Sequence, residues 1–408
     1  MNKKNKELFP ELRFPEYKKE PPFKETKLSK LLFETMQRNR DLKFSKNDVL
    51  SVSGDHGCVN QIELLGRSYA GVSVKDYHIV ETNDIVYTKS PLKKNPYGII
   101  KENKGHAGIV STLYAVYRAT DICHPSFLDH YFSRDFNLNS YLQPLVNKGA
   151  KNDMKVKNSA VLKGTIYVPG LEEQVKLANF LSSIDKLIIL HTQKLDALKD
   201  HKKGLMQQLF PAEGETVPKL RFPEFHAKGA WSAYPLGSVG ENLDSKRVPI
   251  TEKDRVKGSF PYYGASGVID YVNDYIFDEE LLCISEDGAN LRARTYPIAF
   301  SIAGKTWVNN HAHVIRFEHK STQTLVENYL NSVSLEDYLT GMAQPKLNRA
   351  KLDIIPIPLP SLEERAVIAD FLTSLDELIS HQASTVENLA KHKEGLIQKL
   401  FPVMDEVN

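Results

Sequence analysis

The chain has 408 residues, of which 41% are hydrophobic and 25% charged, as in a soluble globular protein with two or more domains. Its 53 basic and 51 acidic residues give a net charge of +2, so any nucleic-acid binding must depend on local patches. No apolar run approaches the roughly 20 residues of a membrane span, and no signal-peptide core follows the first lysines, so we expect a cytoplasmic protein. The three cysteines, Cys58, Cys123 and Cys283, lie far apart, which argues against disulfides and a structural zinc site.

Residues 1–22 contain a short segment that recurs later in the chain. The run "LRFPE" occupies residues 12–16 and again residues 220–224, an offset of 208 positions. The same offset places Phe23 on Trp231. We therefore expect residues 1–22 to complete a cyclic repeat, as the counterpart of a linker at 212–230.

Residues 23–168 are predicted to form a first globular domain of short strands and turns. The run "YHIVETNDIVYT" alternates apolar and polar residues around Asn83 and Asp84, a pattern typical of a β-hairpin. Residues 89–104 hold five lysines with an aromatic and small polar residues, a composition that suits contacts with DNA phosphates and bases. A solvent-facing lysine loop is the alternative. The candidate DNA-binding residues here are Lys89, Ser90, Lys93, Lys94, Asn95, Tyr97, Lys101 and Lys104.

Residues 169–211 predict a long helix, from Leu171 to Leu209, of roughly 58 Å at 1.5 Å per residue. Apolar residues recur along it with a period of 3.5, the signature of a coiled coil.

Residues 231–359 are predicted to form a second globular domain that shares almost no sequence with the first. The run Tyr262–Gly264 predicts the end of a strand leading into a tight turn. Arginine pairs with guanine and asparagine with adenine through two hydrogen bonds each, so the polar residues of this region suit direct readout of DNA. The candidate DNA-binding residues here are Lys246, Arg247, Tyr262, Tyr263, Ser266, Arg292, Arg294, Lys305, Trp307, Asn309, Asn310 and His311.

Residues 360–408 repeat the long helix at an offset of 191. Residues 362–402 match residues 171–211 at 19 of 41 positions without a gap. Ser361 and Glu364 predict a capping box at its start. We predict that the two helices pair and hold the two domains at a fixed spacing, whereas the alternative is two unrelated amphipathic helices. The residues expected to pair are Leu181, Ile184, Ile188, Leu195, Leu198, Leu372, Leu375, Ile379, Val386 and Leu389.

Both predicted seams are interrupted by polar residues at the same two positions. These are His191 and Lys202 in the first helix, and Gln382 and Lys393 in the second. Polar groups inside a seam lower stability but fix register and orientation. Matching interruptions favour paired helices over unrelated ones.

Several short motifs argue against a catalytic or cofactor site in this chain. "AGKTW" has Ala299 where a phosphate-binding loop needs glycine, and His311 and His313 have no further ligand at a metal spacing. "KNPYG" lacks the second proline of the catalytic motif of amino-methyltransferases, and no glycine-rich loop for S-adenosylmethionine accompanies it. We therefore expect no catalytic residue, no cofactor and no metal.

Together these features resemble the specificity subunit of a type I restriction–modification system. The resemblance rests on "LPSLEER" with "IADFLTSLDELI", on its copy "VPGLEEQVKLANFLSSIDKLI", and on "PKLRFPEF", "PYYGASGVIDYV" and "YTKSPLKKNPYGIIK". It covers essentially the whole chain, although Gly170 stands where the family often has a serine-like cap. The family implies a mixed α/β fold with two target-recognition domains and two long antiparallel coiled-coil helices, related by a pseudo-two-fold internal repeat.

The same resemblance implies a division of labour among subunits. Each recognition domain would read one half of an asymmetric bipartite DNA site, and the helices would set the unread spacer. Two copies of a modification subunit would supply adenine-N6 methylation with S-adenosylmethionine, and restriction subunits would bring ATP, Mg²⁺ and translocase and nuclease activity. The alternatives are a coiled-coil adaptor without specific DNA binding and the recognition part of a single-chain methyltransferase.

Overall fold

The computed structural model describes residues 8–54, 56–89, 94–146 and 156–402. The chain divides into two compact units: Met1–His191 with Thr385–Asn408 forms the first, and Thr192–Ser384 forms the second. The divisions fall inside the long helices rather than at the domain ends, because each domain packs against one half of each helix. Among the described residues, no helix is long and apolar enough to span a membrane.

The first domain is built mainly of short antiparallel strands. Its elements and the helix that follows are β1 Lys24–Lys27, α1 Leu28–Leu31, β2 Leu32–Glu34, β3 Leu50–Ser53, β4 Gly57–Asn60, α2 Gln61–Leu65, β5 His78–Val80, β6 Ile85–Thr88, β7 Ile99–Glu102, β8 Gly108–Val110, β9 Tyr114–Ala119, α3 Pro125–Ser133, α4 Asp135–Leu142, α5 Asn158–Val161, β10 Thr165–Val168 and α6 Leu171–Leu209. A four-stranded sheet has the order β2-β9-β6-β7, and β3–β4 and β5–β8 form separate two-stranded sheets.

The predicted hairpin around Asn83 is wrong. Strand β5 pairs with β8, whereas β6 pairs with β7 and β9. All seven residues of these two strands are buried, so the alternation of apolar and polar residues does not mark one buried face and one exposed face. Between the strands, Asp84 is buried and accepts two hydrogen bonds from the guanidinium of Arg118, which holds this turn within the fold.

The second domain has a different sheet arrangement. Its elements and the closing helix are β11 Ser232–Pro235, α7 Leu236–Val239, β12 Glu241–Asn242, β13 Lys257–Gly264, β14 Gly267–Val272, β15 Phe277–Asp278, β16 Leu281–Ser285, α8 Asn290–Ala293, β17 Ala299–Ile302, β18 Lys305–Val308, β19 Ala312–Arg316, α9 Lys320–Ser332, α10 Arg349–Asp353, β20 Pro356–Leu359 and α11 Leu362–Leu400. One four-stranded sheet has the order β12-β19-β16-β17, a second has the order β14-β13-β18-β15, and β11 and β20 form a two-stranded sheet. The turn predicted after Tyr262–Gly264 is confirmed as the β13–β14 hairpin.

The sequence repeat becomes a structural repeat where each domain meets its long helix. In the first domain β1 pairs with β10 so that Lys24 lies opposite Val168, and in the second β11 pairs with β20 so that Ser232 lies opposite Leu359. The first residues of these pairs differ by 208 positions and the second by 191, which are the two offsets of the sequence repeat. Dissimilar domains are therefore closed by the same antiparallel strand pair.

The two long helices begin and end where the periodicity predicts, at Leu171–Leu209 and Leu362–Leu400. In the first unit, Asp185 of α6 forms an ion pair with Lys393 of α11. In the second unit, Lys202 of α6 lies 2.6 Å from Asp376 of α11. The two pairs are related by the offset of 191, and early residues of one helix meet late residues of the other, so the helices run antiparallel within each unit. These partners explain the lysines in the predicted seams.

A buried arginine–glutamate pair fastens the "LRFPE" segment to the start of each long helix. Arg13 donates to both carboxylate oxygens of Glu173 at 2.8 and 2.7 Å, and Arg221 donates to those of Glu364 at 2.7 and 2.8 Å. Both glutamates are at most 3% exposed. The indole Nε1 of Trp231 also donates to Glu364, at 3.3 Å.

Of the two hydrogen bonds in the predicted capping box, one is present and the other is replaced by this ion pair. Ser361 Oγ does accept a hydrogen bond from the amide of Glu364, at 3.4 Å. The carboxylate of Glu364, however, binds Arg221 rather than the backbone at the start of the helix. A charged partner brought from a segment 143 residues away takes the place of the local hydrogen bond.

Replacing Glu364 with glutamine distinguishes the two interpretations. Glutamine serves a capping box as well as glutamate, so that interpretation predicts little change. We instead expect the second unit to lose about 1.5–3 kcal/mol of unfolding free energy, because the guanidinium of Arg221 stays buried without its counter-charge. Both tryptophans, Trp231 and Trp307, lie in the second unit, so urea unfolding followed by tryptophan fluorescence measures the effect.

The control for this change is the neighbouring exposed Glu363, whose replacement by glutamine should leave the same transition within about 0.5 kcal/mol of the native protein. An unfolding midpoint for Glu364→Gln equal to that of Glu363→Gln would show that the ion pair contributes nothing.

Candidate nucleic-acid interface

Four loops of the second domain meet at one end of strand β16. We call this surface the rim, and it consists of residues 263–267, 286–289, 309–311 and 340–347. The amide of Asn309 donates to the carbonyl of Tyr263 at 3.0 Å, and Ser285 Oγ donates to the carbonyl of Ala265 at 2.5 Å. The sheet therefore brings together loops that lie up to 84 residues apart in the sequence.

Glu286 lies at the centre of the rim. Its amide donates to the carbonyl of His311 at 2.9 Å, and its carbonyl accepts from the amide of Leu347 at 2.7 Å. Its carboxylate lies 2.9 Å from Arg247 and 3.2 Å from Lys346. Burial raises the pKa of Glu286, but the hydrogen bond from Arg247 and the other positive groups outweigh burial and lower the pKa below its ordinary value. The carboxylate thus remains charged and holds two loops together.

A buried histidine fastens the loop at 340–347 to strand β19. His313 is 1% exposed, and its ring nitrogens lie 2.6 Å from Asp244 Oδ2 and 2.7 Å from the carbonyl of Leu347. The ring therefore bridges the carboxylate of Asp244 and the backbone of the loop. Burial raises the pKa of Asp244, but the hydrogen bond with His313 and nearby positive groups outweigh burial and leave that pKa below its ordinary value.

In the described ranges, no cluster of acidic, histidine or cysteine residues could hold a metal ion.

Several predicted DNA-binding residues do lie exposed on the second domain. Ser266 and Asn310 are exposed on the rim, and Lys246 and Lys305 are exposed elsewhere on the same domain. His311 is exposed as well, but its ring Nδ1 lies 2.8 Å from Asp287. These residues remain candidates for contact with DNA.

Two predicted aromatic contacts are only partly accessible. Tyr263 is half-buried and stacks on Phe300 with 6.0 Å between ring centroids. Trp307 is half-buried, and its Nε1 donates to the carbonyl of Val248 at 2.6 Å. Each ring retains some accessible surface, but each is also held by a neighbour within the domain.

Three predicted base contacts are corrected, because their side chains are buried in the fold. Tyr262 is 1% exposed and its hydroxyl accepts from the amide of Ile250. Asn309 is 4% exposed and its Oδ1 accepts from the amide of His311. In the first domain Asn95 is 7% exposed and donates to Asp135 at 2.9 Å. Burial keeps all three side chains from reaching a base edge, and each makes at least one hydrogen bond within its own domain.

Two of the three predicted arginine contacts, those of Arg247 and Arg294, are also corrected, and all three guanidinium groups have partners within the domain. Arg247 binds Glu286, as described above. Arg294 is half-buried and donates to three backbone carbonyls, and burial lowers its pKa. Arg292 forms a forked pair with Glu336 at 2.8–3.1 Å and donates to the carbonyl of Met342 at 2.7 Å. Arg247 and Arg294 are therefore not free to bind guanine, whereas Arg292 is exposed and remains a candidate for contact with DNA.

The lysine-rich stretch of the first domain is only partly available. Lys94 is exposed and Lys89 is half-buried, whereas Ser90 and Lys93 lie outside the described residues. Tyr97 packs against the hydrophobic core, and Lys101 is half-buried on strand β7. Lys104 is paired with Asp129 at 2.7 Å. The described lysines of this stretch therefore differ in exposure: Lys94 and Lys104 are exposed, whereas Lys89 and Lys101 are half-buried.

The residues predicted to pair along the helices all lie on the less exposed side of α6 and α11. Each is buried or half-buried, whereas most of the residues between them are exposed. The buried members are Leu181, Ile184, Leu195 and Leu372, and the half-buried members are Ile188, Leu198, Leu375, Ile379, Val386 and Leu389.

Sequence reasoning missed the loop at 340–347, which supplies four consecutive exposed residues of the rim, 341–344. Met342 is 93% exposed and Gln344 is exposed. The only local signal was the run "TGMAQPK", whose glycine and proline are typical of a turn. Gly341 has φ of +83°, and a Cβ there would lie 2.5 Å from the carbonyl oxygen of Gln344, so a side chain at this position would force the loop open.

Comparison with known proteins agrees with the architecture described above. The chain matches the family described as "Type I restriction modification DNA specificity domain" over residues 68–200 and 228–388. It therefore belongs to the type I restriction–modification DNA specificity family. The two matched regions cover parts of both domains and of both long helices.

Individual relatives are similar over part of their length. A putative type I restriction enzyme specificity subunit from Haemophilus influenzae is 36% identical over 146 residues, covering 36% of this chain and 37% of the relative. The putative MjaX specificity subunit of Methanocaldococcus jannaschii is 26% identical over 282 residues, covering 63% of each chain. The chain thus spans between about a third and two thirds of the curated relatives it matches.

Solved structures share the fold. The crystal structure of a type I restriction–modification S subunit from M. genitalium has a TM-score of 0.63 at 12% identity, with 97% of this chain and all of that chain covered. A chain from a study of complex assembly in the type I system has a TM-score of 0.52 at 17% identity, with 94% and 98% covered. At these identities the likeness concerns the fold alone.

Proposed function

We propose that this chain is the DNA-recognition subunit of a type I restriction–modification complex. Each domain reads one half of an asymmetric bipartite site, and α6 and α11 set the spacer between the halves. The observation that carries the proposal is the combination of repeated helices, with repeated ion pairs, and two domains of different sheet topology. Because both domains are joined to the long helices in the same way, they can occupy two equivalent positions on DNA. Because their folds differ, they can read two different sequences.

The chemistry then resides in other subunits. We expect two copies of an adenine-N6 methyltransferase subunit, one for each repeat, because quasi-equivalent surfaces favour equivalent docking. Those subunits would bind S-adenosylmethionine, and restriction subunits would bind ATP and Mg²⁺. The chain itself would act as a non-catalytic, cytoplasmic protein. Its homology to specificity subunits and its fold support this assignment.

The proposal is tested by expressing the chain with the modification subunit of its own system and sequencing the methylome of the host. We expect methylated adenines in one bipartite motif with two different halves and a fixed spacer. The modification subunit without this chain should leave that motif unmethylated. An adaptor without specific DNA binding would instead give the same methylation pattern with and without the chain.

A further inference from the structure

The loop Thr340–Lys346 presents a free amide side chain on the rim. The side chain of Gln344 makes no hydrogen bond within the described part of the chain, and Met342 beside it is almost fully exposed. Most other polar side chains of the rim already have partners, as in the pairs of Glu286 and of His311. The amide of Gln344, like that of the exposed Asn310, therefore offers both a donor and an acceptor to another molecule.

The backbone of this loop is fixed by contacts on both sides. The amides of Thr340 and Lys346 each donate to the carbonyl of the other residue at 2.8 Å. The amide of Gly288 donates to the carbonyl of Pro345 at 3.2 Å, and Arg292 holds the carbonyl of Met342. These contacts restrict the conformations that the loop backbone can adopt.

A fixed loop lowers the entropy that binding would otherwise cost, so a side chain presented on it can discriminate between ligands. A glutamine amide forms two hydrogen bonds with the N6 and N7 atoms of adenine in the major groove. An exposed apolar side chain such as Met342 can contact the methyl group of thymine next to it. Gln344 and Met342 are therefore suited to contacts with adenine and thymine in the major groove rather than with the phosphate backbone.

We propose that Gln344 is a specificity-determining residue that reads one base edge in the half-site of the second domain. Arg292 acts as its positioning residue, because it ties the loop tip to Glu336. The inference rests on the proposed function and extends it by naming the readout element. The alternative is that a protein partner, rather than DNA, binds this loop, and the experiment distinguishes these two ligands.

The test uses the chain assembled with its modification subunit and measures binding to its methylated motif and to single base-pair variants of that motif. Gln344→Met keeps the size of the side chain and removes its amide. We expect it to weaken binding to the cognate site roughly 10- to 100-fold and to relax discrimination at one base pair of the second half-site only. Binding to non-specific DNA should stay unchanged, since phosphate contacts are retained.

Two further variants make the result specific. Gln207→Met changes an exposed glutamine on α6 and should leave all affinities unchanged. Arg292→Lys, which loses the forked geometry, should relax the same base position less strongly and speed hydrogen exchange at residues 340–346.

Each other outcome overturns the inference. Unchanged discrimination by Gln344→Met would remove Gln344 from readout, and loss of assembly with the modification subunit would assign the loop to a protein contact. If the native complex showed no bipartite specificity, the proposed function itself would fail, and this outcome is visible before any variant is made.

Discussion

Replacing Phe401 with alanine is expected to destabilise the first compact unit by about 3–5 kcal/mol, as for other buried phenylalanines. Phe401 follows the last residue of α11, yet it lies in the core of the first domain and is 1% exposed. Its ring centroid lies 5.4 Å from that of Phe127 and 5.6 Å from that of Tyr131. Because those contacts come from α3, removal of the ring should open a cavity in the domain rather than only fray the helix.

Hydrogen exchange detected by mass spectrometry measures this effect by region. For Phe401→Ala, strands β6 and β9 should lose protection while β16 and β19 keep theirs. Phe210 is the matched control, because it occupies the equivalent position after α6 and packs against Trp231 and Tyr329 in the second unit. Phe210→Ala should give the opposite pattern. Faster exchange confined to the last turn of α11 in the Phe401 variant would contradict the prediction.

Exchange of the second domain for that of a relative is expected to change one half of the DNA target completely and leave the other half unaltered. The structure indicates where to join the hybrid, since β11 and β20 pair with each other and must be replaced together. Residues 232–359 therefore form the unit of exchange. The helix residues that pack beneath this domain, such as Leu209 and Leu372, should be kept only if the relative has side chains of similar size.

Methylome sequencing of cells that carry the hybrid and its modification subunit provides the measurement. The matched control exchanges residues 24–168, which are bounded by β1 and β10, and should change only the other half-site. A natural target with two identical halves, or a hybrid in which both halves changed together, would disprove separate readout by the two domains.

The long helices illustrate what the sequence determined by itself. Their ends and their less exposed face follow from a local 3.5-residue period, and the two offsets of 208 and 191 predict that the segments around each domain are equivalent. The period is a local property of each segment, and the offsets come from aligning one part of the sequence with another. They therefore require no knowledge of which residues meet in space.

Only the tertiary structure decided which polar side chains are free. Arg247 and Arg294 are suited to guanine by residue type, but partners 36–39 residues further along the chain occupy them. The partner of Glu364 likewise comes from the repeated "LRFPE" segment rather than from the first turn of its own helix. The sequence repeat includes both Arg221 and Glu364, but it gives no sign that the two side chains bind each other. Gln344 was missed for the converse reason, because an uncharged side chain gains importance only when the fold fixes its loop and leaves its amide unpaired.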